Sequence, residues 1–213
     1  MTRLIVIRHG FSVSNAERRY TGQQDVPLSA LGYEQAELVA DYLTANFSID
    51  AIHASDLCRA VDTVAPTAKR LGLSVIPERG LRETDVGDWT GRTYEDVQAH
   101  YAVHLARHRA DPDVPCPNGE SHRAVFARIQ STVERLLREH QGKTVVIATH
   151  AMPARCIEAM SQGHGIEQIG LHRVAPNASI RIYNYENDRL ISQGRNIVSH
   201  LAKPGETLPD ELV

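Results

Sequence analysis

Short apolar runs alternate along this chain with longer stretches of helical period, and that alternation limits the fold more than any other feature. The runs are residues 4–7 (Leu-Ile-Val-Ile), 51–54, 74–76 and 144–148. Each is too short for a helix and mostly apolar, so each reads as a buried strand. Helical patterns lie between them. Ser29 has the chemistry of an N-cap, and Leu31, Ala36, Val39, Tyr42 and Leu43 follow at helical spacing. Leu57, Val61, Val64, Ala68 and Leu71 repeat the period, with Pro66 expected to kink that helix. Further helices are expected over 121–140 and 153–160, with Pro153 in a first turn.

Strands separated by crossover helices build a parallel sheet covered on both faces. The predicted fold is therefore α/β: a three-layer sandwich with a mainly parallel sheet, helices on both faces and a helical insertion over the active site. The insertion is residues 78–118, where the rhythm breaks into glycines, a Pro112/Pro115/Pro117 cluster and one helical patch from 94 to about 108. Residues 10–27 read as loop. A hairpin closes the pattern, pairing 178–185 with 189–192 around Glu186-Asn187-Asp188. The tail from 194 to 213 reads as irregular. Residues 1–213 are taken as one domain, in keeping with ordinary domain sizes.

Composition excludes some functions. Lys+Arg 23 against Asp+Glu 26 gives a net charge of −3 without a concentrated basic face, so nucleic acid is not an expected partner. No run approaches the ~18 apolar residues of a membrane span, and the run at 4–7 is too short for a signal-peptide core. The three cysteines, Cys58, Cys116 and Cys156, are odd in number and far apart, which fits a reducing compartment. The expectation is a cytoplasmic protein; a homodimer is left open.

In parallel α/β folds ligands collect beyond the carboxyl ends of the strands. Arg8-His9-Gly10 and Asn15 follow the first run, Ser55 and Arg59 the second, Thr149 and His150 the fourth, and the third leads to Glu83. These groups suit a phosphate monoester. Two guanidinium forks match phosphate oxygens. A neutral histidine is a competent nucleophile, and a second one, protonated near a dianion, stabilises its charge. A carboxyl group can protonate the leaving oxygen and then activate water. With these cations in place no metal is required, and no cofactor is expected.

Arg8-His9-Gly10 with Asn15, Thr21-Gly22, the stretch from Leu28-Ser29 through Gly32 to Gln35-Ala36, Ser55-Asp56-Leu57 with Arg59-Ala60, Glu83-Thr84-Asp85-Val86-Gly87-Asp88-Trp89, and Thr149-His150 together resemble the histidine phosphatase superfamily, in its phosphoglycerate-mutase-like branch. Each motif alone is weak, and an isolated Arg-His-Gly is ordinarily just a strand-to-loop junction. In this order, from residue 3 to about 200, the set is specific. The resemblance implies His9 as the nucleophile that becomes phosphohistidine. Arg8, Arg59 and His150 then form the phosphate pocket, with Asn15 as a further donor. Glu83 is the implied proton donor and acceptor, with Asp85 as its rival. Thr21, Gly22 and Ala151 fall on the substrate side.

Two positions depart from the family pattern. Phe11 stands where a polar residue is usual, which suggests a changed pocket rim. Ala151 stands where many members have glycine, and its backbone N–H is kept. The implied function is a metal-independent phosphatase of small phosphate monoesters. The alternatives are a cofactor-dependent phosphoglycerate mutase and a non-catalytic phosphate-binding module. Mutases of the family typically follow the catalytic Glu with Arg-x-Tyr-Gly, whereas Glu83 here leads to Thr84-Asp85-Val86-Gly87. Candidate substrates are phosphoserine, phosphoglycerate, a cobalamin-precursor phosphate and sugar phosphates. Phosphoserine is disfavoured by Val86, where phosphoserine phosphatases often carry His. Residues 196–201 resemble tails that fold back toward the pocket.

Three side issues remain at this level. His100, His104 and His108 share one face if 94–108 is a single helix, yet one straight helix cannot wrap a tetrahedral ion. Cys58 beside Arg59 reads as a small apolar residue rather than a reactive thiol. Arg18 or Arg19 would hold a substrate carboxylate if not simply solvated.

Overall fold

Strand β1 (Thr2–Arg8) runs through the middle of the molecule, and its side chains alternate between two apolar layers. The computed structural model describes residues 1–202. After β1 come α1 (Val13–Ala16), α2 (Ala30–Asn46), β2 (Ala51–Ala54), α3 (Cys58–Leu71) and β3 (Val75–Pro77). The insertion holds α4 (Tyr94–His100) and α5 (Ala102–Ala110). Then follow α6 (His122–Glu139), β4 (Thr144–Thr149), α7 (Ala151–Ser161), β5 (Ile180–Glu186) and β6 (Arg189–Ile197).

The strands form one six-stranded sheet in the order β3-β2-β4-β1-β5-β6. β3, β2, β4 and β1 are parallel, while β5 and β6 add an antiparallel edge. Leu4, Val6, Val145 and Ile147 pack with α6 and α7 on one face. Ile5, Ile7, Val146 and Ala148 pack with α2 and α3 on the other. Strands buried on both faces read as continuous apolar runs, which is why they were visible in the sequence. The order places the carboxyl ends of β1, β2 and β4 side by side, with Arg8 opposite Thr149 and Ala54 opposite Ala148.

Local chemistry sets the boundaries. Ser29 caps α2 by accepting from the Gly32 N–H, and Ser121 caps α6 by accepting from the Ala124 N–H. The helix with Pro66 continues through it to Leu71 and ends at Gly72, which takes the left-handed conformation at φ +66°. The β5–β6 turn uses Asn187 and Asp188 at φ +49° and +57°, as a two-residue hairpin requires.

Several expectations are corrected. The third strand lies one residue later than 74–76. The segment 10–27 contains the one-turn α1, capped by Ser12 and Asn15. The helical patch 94–108 is two helices, because Tyr101 leaves helical geometry at φ −125° and ψ 20°. Trp89 packs edge-on against both Tyr101 and His104, so the break lets two short helices wrap one indole. The last helix starts at Ala151, so Pro153 is its third residue, where no intrahelical N–H bond is lost. Residues 194–197 belong to β6, and Ser199–Leu201 forms a 3-10 turn. The remainder of the tail, 203–213, lies outside the described residues. Among the described residues no helix is long and apolar enough to cross a membrane.

The insertion carries a small apolar centre of its own, Val86, Trp89, Val97, Leu105 and Cys116, joined by Tyr20 and Tyr101. It walls the far side of the cavity described next.

Candidate active site

A cavity of about 700 Å³ opens beyond the carboxyl ends of β1 and β4. Its wall contains every residue singled out from the sequence as catalytic or substrate-facing except His150: Arg8, His9, Asn15, Thr21, Gly22, Arg59, Glu83 and Ala151. His150 lies just behind, fully buried, its ring centroid 5.1 Å from that of His9.

His9 leaves β1 with its ring fixed. Its Nδ1 lies 2.7 Å from the Gly10 carbonyl oxygen, which can only accept, so Nδ1 carries the proton and Nε2 keeps a lone pair. Burial, then the charges of Arg8 and Arg59, pushes its pKa well below the ordinary value, so the ring is neutral. The backbone below is pinned: Ala178 donates to the Arg8 and His9 carbonyls, and Asn177 Nδ2 donates to the His9 carbonyl at 3.0 Å.

Arg59 is 1% exposed, and its guanidinium donates to the carbonyls of Gly22 and Gln24, both at 2.8 Å. Arg8 donates to the Ala175 carbonyl at 2.5 Å, while its buried Nε has no protein partner among the described residues. No carboxylate pairs with either arginine there, and burial lowers the pKa of both. Two desolvated cations that no carboxylate contacts, with the Glu83 charge nearby, make a receptor for an anion. Asn15 Oδ1 accepts from Ser12 N and from Asn177 Nδ2, which fixes the amide and leaves its own NH₂ for the cavity.

His150 Nε2 pairs with Ser55 Oγ at 2.8 Å, and its Nδ1 is buried without a partner among the described residues. Burial, then Arg59, His9 and Arg8, pushes its pKa well down. These surroundings by themselves favour the neutral ring, with one ring nitrogen committed to Ser55; the protonated ring expected from the sequence is one that faces a bound dianion.

Glu83 meets the start of α7. Its Oε2 accepts from Ala151 N at 3.0 Å, and Met152 N lies at 3.3 Å from Oε1. Helix N-termini hold negative charge well, because their first N–H groups lack intrahelical acceptors. The chain around Glu83 is held by Arg128, which donates to the carbonyls of Gly80 and Arg82 and pairs with Glu120 at 2.8 Å. Asp85 is not on the cavity wall; its carboxylate accepts from Gly87 N at 3.0 Å. That removes it as the rival acid.

Other expectations change as well. Phe11 does not line the cavity, and its N–H donates to Gln35 Oε1. Residues 196–201 do not line it either: His200 is directed at the Ala178 carbonyl and stacks near Tyr42. Arg18 and Arg19 both reach the cavity wall, in exposed ion pairs with Glu95 and Glu17 that are weak enough for a bound anion to displace. His100 lies on α4, whereas His104 and His108, on α5, meet the Pro115 and Val114 carbonyls. Among the described residues no group of three or more His, Cys, Asp or Glu could hold a metal ion. Cys58 is pushed up to about 11 by burial and by Asp25, which makes its thiol unreactive.

Sequence reasoning missed the supports. Ser55 was noted but not as the partner of His150. Asn177, Arg128 and Thr63, which accepts from Gly10 N at 2.9 Å and donates to the Arg59 carbonyl at 2.6 Å, were not noted at all. Their signal is mainly tertiary: Ser55 lies 95 residues from His150, Thr63 lies 53 from Gly10 and Arg128 lies 48 and 46 from the Gly80 and Arg82 carbonyls.

The sequence model described as "Histidine phosphatase superfamily (branch 1)" matches residues 4–198. Phosphoglycerate mutase-like protein 4 of Arabidopsis thaliana is 31% identical, covering 95% of this chain and 88% of its own. Phosphoserine phosphatase 1 of Hydrogenobacter thermophilus is also 31% identical, over 95% and 96%. The solved mycobacterial glucosyl-3-phosphoglycerate phosphatase superposes with a TM-score of 0.84 at 30% identity, covering 91% of this chain and 98% of that one.

Proposed function

The chain belongs to the histidine phosphatase superfamily, branch 1, and from that premise we propose that it is a phosphatase that hydrolyses small phosphate monoesters through a phosphohistidine on His9. The observation that carries this reading is the neutral, oriented His9 ring beside the half-buried Arg8 and the buried Arg59, neither in an ion pair among the described residues.

The phosphoryl oxygens sit against Arg8, Arg59 and the Asn15 amide, with the His150 ring just behind His9. His9 Nε2 gives its lone pair to phosphorus, and the ester P–O bond breaks in line. The positive groups stabilise the charge on the equatorial oxygens, which is the main need of phosphoryl transfer. The Glu83 carboxyl gives its proton to the departing alkoxide. Its carboxylate then takes a proton from water, whose oxygen attacks phosphorus. The P–N bond breaks, the electron pair returns to Nε2, and inorganic phosphate leaves. The net change is ester plus water to alcohol plus phosphate, with His9 and Glu83 restored. The phosphatase relatives support hydrolysis over transfer, as does the sequence after Glu83, which lacks the mutase pattern.

A panel of phosphorylated metabolites assayed for released phosphate, with a parallel assay for isomerised phosphoglycerate, tests the proposal. Phosphate release with an alkali-stable, acid-labile phosphoprotein intermediate supports it. Isomerisation without net release would replace it with the mutase reading, and neither activity would leave a binding module.

A further inference from the structure

Glu83 must deliver a proton to the leaving oxygen, yet it belongs to no helix or strand: residues 82–86 run without regular structure. Backbone groups in such a segment have no ladder to pair with, so other partners must satisfy and fix them. Thr149 Oγ1 donates to the Leu81 carbonyl at 2.7 Å, and Gln23 Nε2 donates to the Glu83 carbonyl at 3.1 Å. Most of the remaining bonds come from one arginine and one glutamate at the start of α6.

Arg128 uses all five of its guanidinium N–H groups there. Nη1 donates to the Gly80 carbonyl at 3.0 Å and to the Arg82 carbonyl at 2.8 Å. Nη2 donates to the Glu83 carbonyl at 3.3 Å and to Glu120 Oε2 at 2.8 Å. Nε donates to Glu120 Oε1 at 3.1 Å. Glu120 takes hold on the other side of Glu83: its Oε2 accepts from Asp85 N at 2.9 Å, and its own N–H donates to the Asp85 carbonyl at 2.8 Å. The backbone is thus gripped before and after the acid by a single bidentate ion pair.

The pair stands on a rigid base. Ser121 caps α6 directly after Glu120, and Arg128 lies within that helix. A Cβ at Gly80 would collide with Thr132 Oγ1, one turn beyond Arg128, so the chain leading to Glu83 lies flat against α6. Neither Arg128 nor Glu120 lines the cavity, and each side chain is only 23% exposed. Neither can therefore touch a substrate held there, and each charge is matched by the other. The Arg128 charge reaches His150 as well, after those of Arg59, His9 and Arg8.

We propose that Arg128 and Glu120 are positioning residues for the general acid: by holding the backbone on both sides of Glu83 they set where its carboxyl meets the leaving oxygen. This assignment rests on the phosphatase reading above and names what places the acid in it. Proton transfer requires hydrogen-bond geometry, and a misplacement of about 1 Å can cost about a hundredfold. The loss falls on esters whose alkoxide needs the proton and spares those whose leaving group departs unaided.

The test uses p-nitrophenyl phosphate, phenyl phosphate and glycerol 3-phosphate, whose leaving groups rise in basicity in that order. Arg128→Lys keeps the charge but offers at most three donors for five acceptors. It is expected to lower kcat on glycerol 3-phosphate about tenfold or more, with KM changed less than about threefold, and to leave the pre-steady-state release of nitrophenol within about threefold of wild type. Phenyl phosphate should fall between. Glu120→Gln still accepts from Asp85 N and is expected to show the same order with smaller losses. In a Glu83→Gln background, adding Arg128→Lys should change the glycerol 3-phosphate rate less than about twofold, because the group being positioned is already gone. An equal fractional loss on all three esters overturns the proposal, since a merely structural pair would behave that way. A full further loss in the Glu83→Gln background also overturns it, and would route the effect through His150. Inactivity of the folded wild-type protein on every ester would instead overturn the phosphatase reading. Circular dichroism is the folding control, and should Arg128→Lys fail to fold, Glu120→Gln alone and in the Glu83→Gln background decides.

Discussion

His9 donates its Nδ1–H to the carbonyl oxygen of its own neighbour, Gly10, across 2.7 Å. This contact fixes the tautomer without any carboxylate, so the ring keeps the modest basicity of a neutral imidazole. Gly10 is held in turn by Thr63, which accepts its N–H at 2.9 Å and binds the Arg59 carbonyl at 2.6 Å. Nucleophile and phosphate-binding arginine therefore share one hydrogen-bonded chain.

His9→Ala is expected to abolish turnover while the protein remains folded, because both chemical steps pass through Nε2. The loss should be a thousandfold or more, measured on purified protein with circular dichroism as the folding control. More than about a tenth of the wild-type rate would mean that another group attacks phosphorus.

The strand-end residues were legible in the sequence because a doubly covered parallel strand is a continuous apolar run, and whatever follows it stands at the sheet's ligand edge. Arg8, Arg59 and His150 were placed that way. Arg155, also on the cavity wall, could not be: it sits within α7, after no strand, and only the tertiary fold brings it there. The break at Tyr101 was hidden for a related reason: residues 94–108 have helical period, and the competing contact is a tryptophan from another segment. Asn177 reaches His9 and Asn15 across more than 160 residues of chain, a separation that leaves no local pattern.

Folding stability should fall as the pH is lowered from about 6.5 toward 4. His9, His150 and His122 all have folded-state pKa values below the ordinary histidine value of about 6.5, in each case chiefly through burial. In that window the unfolded chain binds protons that the folded chain refuses, so stability rises with pH and levels off above it. Each fully buried ring contributes up to about 1.4 kcal/mol per pH unit. Thermal unfolding at pH 7.5 and pH 5 checks this; an equal or higher Tm at pH 5 would contradict the buried, neutral state of these rings.

Activity is expected to be unchanged by EDTA. Arg8 and Arg59 bring fixed positive charge to the place where a metal would otherwise neutralise the phosphoryl oxygens. The assay is the aryl phosphatase rate before and after chelation and dialysis. Loss of rate that returns with magnesium, manganese or zinc would show that the arginines are not sufficient.

Gly22 has φ +52°, and a Cβ there would come within 2.7 Å of Val86 Cγ2. Its carbonyl also receives one arm of Arg59 at 2.8 Å. Gly22→Ala should therefore cost about 1–2 kcal/mol from the left-handed backbone alone, lowering Tm by roughly 2–8 °C in a chain of this size. Displacement of Arg59 should lower kcat/KM about tenfold, the equivalent of ~1.4 kcal/mol in transition-state binding. A stable variant with normal kcat/KM would mean that the loop accommodates the methyl group without moving Arg59.

Glu83→Gln separates the two halves of the reaction. The amide is nearly isosteric, and its oxygen can still accept from the Ala151 and Met152 N–H groups at the start of α7. It cannot give a proton to a departing alkoxide or take one from water. An alkyl phosphate needs that proton, so its hydrolysis should fall by roughly 10²–10⁴-fold. A p-nitrophenolate leaves unaided, so the first step on the aryl ester should be nearly spared. Hydrolysis of the phosphohistidine should then lag, because water is no longer activated. The expected record is a burst of nitrophenol close to one equivalent of enzyme, followed by a slow steady state. Asp85→Asn is the control, since Asp85 stands off the cavity wall and binds Gly87 N; it should give no burst and keep most of the alkyl activity. Equal losses on alkyl and aryl esters without a burst, or a larger loss in Asp85→Asn, would leave Glu83 as an anchor for α7 and move the proton transfer elsewhere.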